Sequence, residues 1–129
     1  MALFRRVLPH IGWKAKIRIR LRRKDAHYSG GLVAGAKILE LFGDAATALC
    51  LRETRGRDEG LFRAYQRVDF LHPVRAGDTV IATATVVKIG NTSRTMKFQA
   101  VKTRPRRTIV ARAVGTVVIP ELRETKRRK

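Results

Sequence analysis

Residues 32–52 read LVAGAKILELFGDAATALCLR. Leu32, Val33, Ala36, Leu39, Phe42, Ala46 and Leu49 recur at three- and four-residue steps, the spacing that lines up side chains on one side of an α-helix. No proline interrupts the run, and Gly30-Gly31 just ahead of it marks a turn that opens onto the helix start. The pattern is apolar over much of its circumference, so something broad, such as a sheet, has to cover it.

The flanking segments supply that sheet. Over residues 15–22, Ile17, Ile19 and Leu21 alternate with Lys16, Arg18, Arg20 and Arg22, which predicts a half-buried strand with one wet, strongly basic face. Residues 25–31 read as a turn, and residues 54–60 as a polar loop holding Gly56 and Gly60. Four strand-like runs follow at 61–70, 79–89, 93–103 and 108–119, punctuated by His72-Pro73 with Gly77-Asp78, by Gly90-Asn91 and by Arg104-Pro105. A strand, a long apolar helix and then antiparallel strands predict an α+β chain, with one long central helix wrapped by a curved antiparallel β-sheet. At 129 residues the chain has the length of one domain, 1–129, whose basic ends at about 1–13 and 121–129 are expected to fray.

Charge narrows the function. Lys and Arg number 29 against 10 Asp and Glu, a formal net charge of +19, so a polyanionic partner is expected. Nucleic acid and coenzyme A, with its 3′-phosphate and pyrophosphate, both carry that sign. No helix-turn-helix or aromatic RNA-binding motif is present and aromatic residues make up only 6%, so nucleic acid is not the expected partner. Lys102, Arg104, Arg106 and Arg107 cluster between two strand-like runs, a pattern shared by placed phosphate sites and by merely solubilising surface loops. The chain has no phosphate-binding P-loop, GxSxG elbow or HExxH motif, and its single cysteine, Cys50, reads as core filler. No apolar run reaches the roughly 20 residues of a membrane helix and no secretory signal opens the chain, so a cytoplasmic protein is expected.

Three clusters carry chemistry. Asp44 lies within an apolar helical pattern, where shielding by apolar neighbours raises a carboxyl pKa toward neutrality and suits it to proton transfer; facing solvent or pairing with Lys37 is the structural alternative. His27 and Tyr28 precede Gly30 and Gly31 at the predicted helix start, whose free N–H groups can polarise a thioester carbonyl. Gly90-Asn91-Thr92-Ser93-Arg94 predicts a hairpin whose N–H groups, Ser93 and Arg94 can also hold a phosphate. Asp69 reads as structural, and His72 is given no role.

The segments DAHYSGGLVAGAK (25–37) and FGDAATAL (42–49) resemble the signature segments of the β-alanyl-CoA and 3-aminobutyryl-CoA ammonia lyases of the hotdog superfamily. VDFLHPVRAGD (68–78), VKIGNTS (87–93) and RAVGT (112–116) are similar to the same family, so the resemblance covers about residues 17–120. It implies a hotdog fold with active sites between paired subunits, hence a homodimer assembling into a tetramer or hexamer. The implied reaction eliminates ammonia from a short 3-aminoacyl-CoA, or adds it to the enoyl-CoA. Amides of the helix start, Gly35 foremost with Gly30 and Gly31 beside it, then polarise the carbonyl. Asp44 or His27 moves the α-proton, and Tyr28 or His27 assists the leaving amine. Asn91, Ser93, Arg94, Arg104, Arg106 and Arg107 are the implied coenzyme A contacts. The thioester is itself the electron sink, so no metal or organic cofactor is expected; coenzyme A arrives as part of the substrate. The family's longer insert after the third sheet strand is missing here, because Thr103 leads through residues 104–107 straight into the next strand. An acyl-CoA thioesterase, with Asp44 activating water or attacking the thioester, is the alternative activity. An acyl-CoA-sensing or nucleic-acid-binding module is the second alternative.

Overall fold

The computed structural model describes residues 7–120, apart from the side chain of His27. Strand β1 (Lys14–Arg20) leads into a short hairpin of β2 (Ala26–Tyr28) and β3 (Leu32–Val33), then helix α1 (Gly35–Glu53). Strands β4 (Leu61–Phe70), β5 (Thr79–Ile89), β6 (Ser93–Lys102) and β7 (Thr108–Val118) follow. The sheet runs in the order β1-β5-β6-β7-β4, with every neighbouring pair antiparallel. The expected architecture of one helix wrapped by an antiparallel sheet is the one the chain adopts.

The wrapping has an identifiable cause. Extra residues interrupt the β4–β7 register twice, the β5–β6 register at Val86/Lys88 and the β6–β7 register at Ala100/Val101. Each such bulge bends its strand and increases the local twist. On the inner face, Ala82, Ala84, Ala100, Ala111 and Ala113 leave room for the helix, and the larger Phe42 and Phe98 stack with ring centres 5.2 Å apart. Phe42 is wholly buried, and truncating such a ring costs about 3–5 kcal/mol.

Three differences from the sequence reading shape the site. The helix starts at Gly35, not near residue 32, because Leu32 and Val33 pair with β2 and Ala34 is extended at φ −68°, ψ 149°. Two apolar residues ahead of a helix fit either period, so periodicity alone could not exclude them. Residues 7–13 are not frayed: Val7 N–H donates to Glu53 O at 2.9 Å, Gly12 N–H to Val86 O at 2.8 Å, and Arg52 stacks over Trp13. The expectation for residues 1–6 and 121–129 lies outside the described residues. Finally, the strands that follow one another along the chain are not all neighbours: β4 lies on the far edge beside β7, not next to β5. The connecting segment 71–78 crosses the end of the sheet and is tied down by Leu71 N–H to Val110 O, Val33 N–H to Val74 O and Ala76 N–H to Gly31 O, each 2.8 Å.

Candidate active site

That crossing segment builds a groove against the helix start. Gly35, Ile38, Phe70, His72, Pro73 and Val74 line a largely apolar depression of about 340 Å³. No side chain caps α1, since its N-cap is Ala34, and with Lys37 N–H taken by Ala34 O at 3.0 Å the N–H groups of Gly35 and Ala36 are the ones left for another acceptor. Glycine at 35 lets the Phe70 ring lie against the helix start: a Cβ there would come within 2.7 Å of that partly exposed ring and would have to displace it. Phe70 is 55% exposed and Leu71 46%, which leaves an apolar wall open beside free backbone donors.

The motif ahead of the groove is pinned to the helix by charge. The Asp25 carboxylate accepts the Arg22 N–H at 2.8 Å and pairs with Lys37 at 3.5 Å. The Arg22 backbone donor, and after it Lys37, hold Asp25 below the usual carboxylate range. Burial works against the Lys37 ammonium, yet Glu40 and Asp25 together raise it above its ordinary value. His27 and Tyr28 therefore sit on a strand anchored to the first turn of α1. Tyr28 is 62% exposed, and the side chain of His27 lies outside the described structure.

Gly30 and Gly31 do not sit at the helix start. They form a tight turn four residues earlier with φ of +76° and +75°, and Gly31 O accepts the Ala76 N–H. Of the three glycines only Gly35 opens the helix.

Asp44 is exposed in the subunit, on the side of α1 facing away from the sheet, so the expected apolar shielding is not supplied within one chain. Nor does it pair with Lys37, which is engaged by Asp25 and Glu40. Nine residues separate Asp44 from Gly35, about 13 Å along the axis and half a turn around it.

The six expected coenzyme A contacts divide. Asn91 and Ser93 share a depression with Arg63 at the start of β6, whereas Arg104, Arg106 and Arg107 lie beyond its other end. Nine strand steps separate those ends, roughly 30 Å. The arginine loop is at the same end of the sheet as the helix start; Asn91 and Ser93 are at the end that holds the helix C-terminus.

Arg94 is no surface phosphate ligand. It is 2% exposed, and its Nε and Nη2 bind Glu53 Oε1 and Oε2 at 2.8 and 2.5 Å, while Nη1 donates to Gly90 O and Ser93 O. A guanidinium committed to a buried carboxylate and two carbonyls is structural. The Gly90-Asn91 turn is a hairpin as expected, closed by Gly90 N–H to Ser93 O at 2.9 Å. Asp69 pairs with Arg67 at 2.7 Å on the outer sheet face. Cys50 is buried, and burial, followed by the nearby Glu53 and Asp58, pushes its thiol up to about 12, which leaves it inert. The sequence alone assigned no role to His72 or Phe70 and did not pair Glu53 with Arg94: the crossover brings the first two to the groove, and the pair joins residues 41 positions apart.

Among the described residues no group of three or more His, Cys, Asp or Glu is placed to hold a metal ion, and no helix is long and apolar enough to cross a membrane. A helix cradled by an antiparallel sheet, with an uncapped N-terminus facing an apolar groove, defines the class: the chain belongs to the thioesterase superfamily of hotdog folds, whose pattern matches residues 30–109. Within it, the chain is 42% identical over 127 aligned positions to a 3-aminobutyryl-CoA ammonia lyase of Acetoanaerobium sticklandii, covering 88% of this chain and 99% of that one. The β-alanyl-CoA:ammonia lyase of Clostridium propionicum superposes with a TM-score of 0.75 at 29% identity, covering 85% of this chain and 87% of the other. A hexameric thioesterase of Yersinia pestis shares the fold, with a TM-score of 0.73 at 23% identity over 87% and 89% of the two chains.

Proposed function

We propose that this protein is a carbon–nitrogen lyase that eliminates ammonia from a short 3-aminoacyl-CoA such as 3-aminobutyryl-CoA or β-alanyl-CoA, or adds it to the corresponding enoyl-CoA. The observation that carries the reading is the 42% identity to a protein of that activity across nearly the whole of both chains. The geometry supports it. The groove at Gly35 offers free amides for the thioester oxygen and apolar walls for a short acyl chain, and polarising that carbonyl acidifies the α-carbon. Asp44 or His27 then takes the α-proton, and Tyr28 or His27 donates to the departing amine. Arg104, Arg106 and Arg107, at the same end of the sheet, are the basic groups for the coenzyme A phosphates. Asn91 and Ser93 reach the same ligand only from another subunit. The electron sink is the thioester, so the mechanism routes no step through a metal or organic cofactor.

The working unit in this reading is at least a dimer, assembling further into a tetramer or hexamer, in the cytoplasm. Asp44 lies half a turn away from Gly35 on its own helix, so an Asp44 that serves a groove must come from a second copy with its helix antiparallel. Strand β4 supports such pairing: it is a ten-residue edge strand with Leu61, Phe62 and Phe70 exposed. An uncovered apolar edge of that length favours joining another sheet.

The test incubates purified protein with crotonyl-CoA or acrylyl-CoA and ammonium, following enoyl-thioester absorbance and free thiol together. Loss of the enoyl signal with a 3-aminoacyl-CoA product and no thiol is the expected result. Thiol release would make the protein a thioesterase, the reading its superfamily favours next.

A further inference from the structure

The outer face of the sheet, opposite the helix, carries a laid-out field of cations that, Arg107 apart, the lyase reading does not use. Register places Lys14, Thr85, Lys97, Val114 and Arg67 in one rung across all five strands. The adjacent rung is Lys16, Thr83, Gln99, Arg112 and Asp69. All ten residues line one open depression of about 780 Å³, with Arg107 reaching in from its loop. With strands about 4.8 Å apart, the cations of the first rung stand on alternate strands at intervals of roughly 10 Å, with a hydroxyl between two of them. Asp69, paired with Arg67, is the one acid among the residues that line the depression.

The geometry points to this face as a sequence-independent docking surface for the phosphodiester backbone of duplex nucleic acid. A second copy of the chain is the wrong occupant, because stacking two such faces would oppose like charges and the chain has only 10 acids against 29 basic residues. A membrane fits poorly, since none of the exposed large hydrophobic residues lies in either rung. Single strands are held largely by stacking bases on aromatic side chains, and these rungs contain none. What remains is charge at strand spacing with threonine and glutamine donors between, which contacts phosphates and reads no bases. The absence of a nucleic-acid motif from the sequence does not bear on this, because a backbone platform needs no motif.

The experiment measures binding of the full chain to a labelled 20-bp duplex across a potassium chloride series, for the wild type and for the Lys16→Gln, Lys97→Gln, Arg112→Gln triple variant. All three residues are exposed, so the thermal midpoint is expected to stay put. Each lost phosphate contact lowers the slope of log affinity on log salt by about 0.9, so the variant's slope should fall by about 2.7 and its affinity by at least tenfold at 0.1 M salt. Two unrelated duplex sequences should bind alike. A companion variant neutralises Lys126, Arg127 and Arg128 in the tail. The inference is overturned if the face variant keeps the wild-type slope, if the tail variant loses as much, or if inorganic polyphosphate or phosphatidylglycerol vesicles bind through these residues while the duplex does not.

Discussion

Glu53→Gln removes one charge from the buried pair that ties the last residue of α1 to the start of β6. In the wild type, Arg94 is 2% exposed and makes two charge-assisted bonds to Glu53, at 2.8 and 2.5 Å, beside its bonds to two carbonyls. The substitution leaves a guanidinium inside the protein with no counter-charge, a situation that costs about 3–5 kcal/mol. Replacing both partners, as Glu53→Leu with Arg94→Met, removes the desolvation penalty together with the attraction, and such swaps are neutral or stabilising by about 1–4 kcal/mol. The single variant should therefore be much less stable than the double. With a urea slope of about 1–3 kcal/mol per molar, the single variant's midpoint should drop by at least about 1 M, and the double's should stay near the wild type. Equilibrium urea unfolding at one fixed protomer concentration checks this, because the concentration of an oligomer enters its stability. A single variant within about 1 kcal/mol of wild type, or a double variant as damaged as the single, would refute the reasoning.

Asp44→Asn should lower lyase turnover by roughly 10²–10⁴ while moving stability by less than about 0.5 kcal/mol, since the side chain is exposed in the subunit. Steady-state kinetics with a thermal melt separates the two effects. Gly35→Ala should push the Phe70 ring out of its place against the helix start and cut kcat/KM at least about tenfold, with a modest loss of stability because Phe70 is partly exposed. Cys50 should resist a thiol reagent at pH 8 in the folded protein and react fully in urea. Its folded value, about 12, lies above the ordinary 9.0, so the stability it contributes is complete below pH 9 and is lost as pH rises from there toward 12, which alkaline unfolding should show.

Local pattern was enough for the elements. Alternation and turn residues placed β4 and β5 at their observed bounds and the other long strands within one or two residues, and helical periodicity found α1. These properties are set by side chains a few residues apart, which is why they can be read along the chain. The resemblance carried by residues 25–37 and 42–49 pointed to the family and the reaction for the same reason: the motif is contiguous.

What only the tertiary structure decided were relations between distant residues. The sequence showed an arginine after Ser93 but not that Glu53 would hold it in the interior. It showed Gly30, Gly31 and Gly35 but not that only the last would open the helix, because that depended on β2 and β3 pairing. It showed six candidate phosphate ligands but not that a whole strand would part them. It showed a basic alternation in β1 but not that Lys97, Arg112 and Arg67 would fall in register beside it. Each of these depends on which strands become neighbours, and that choice is made by burying one apolar helix under one sheet, a global balance that no short window of sequence records.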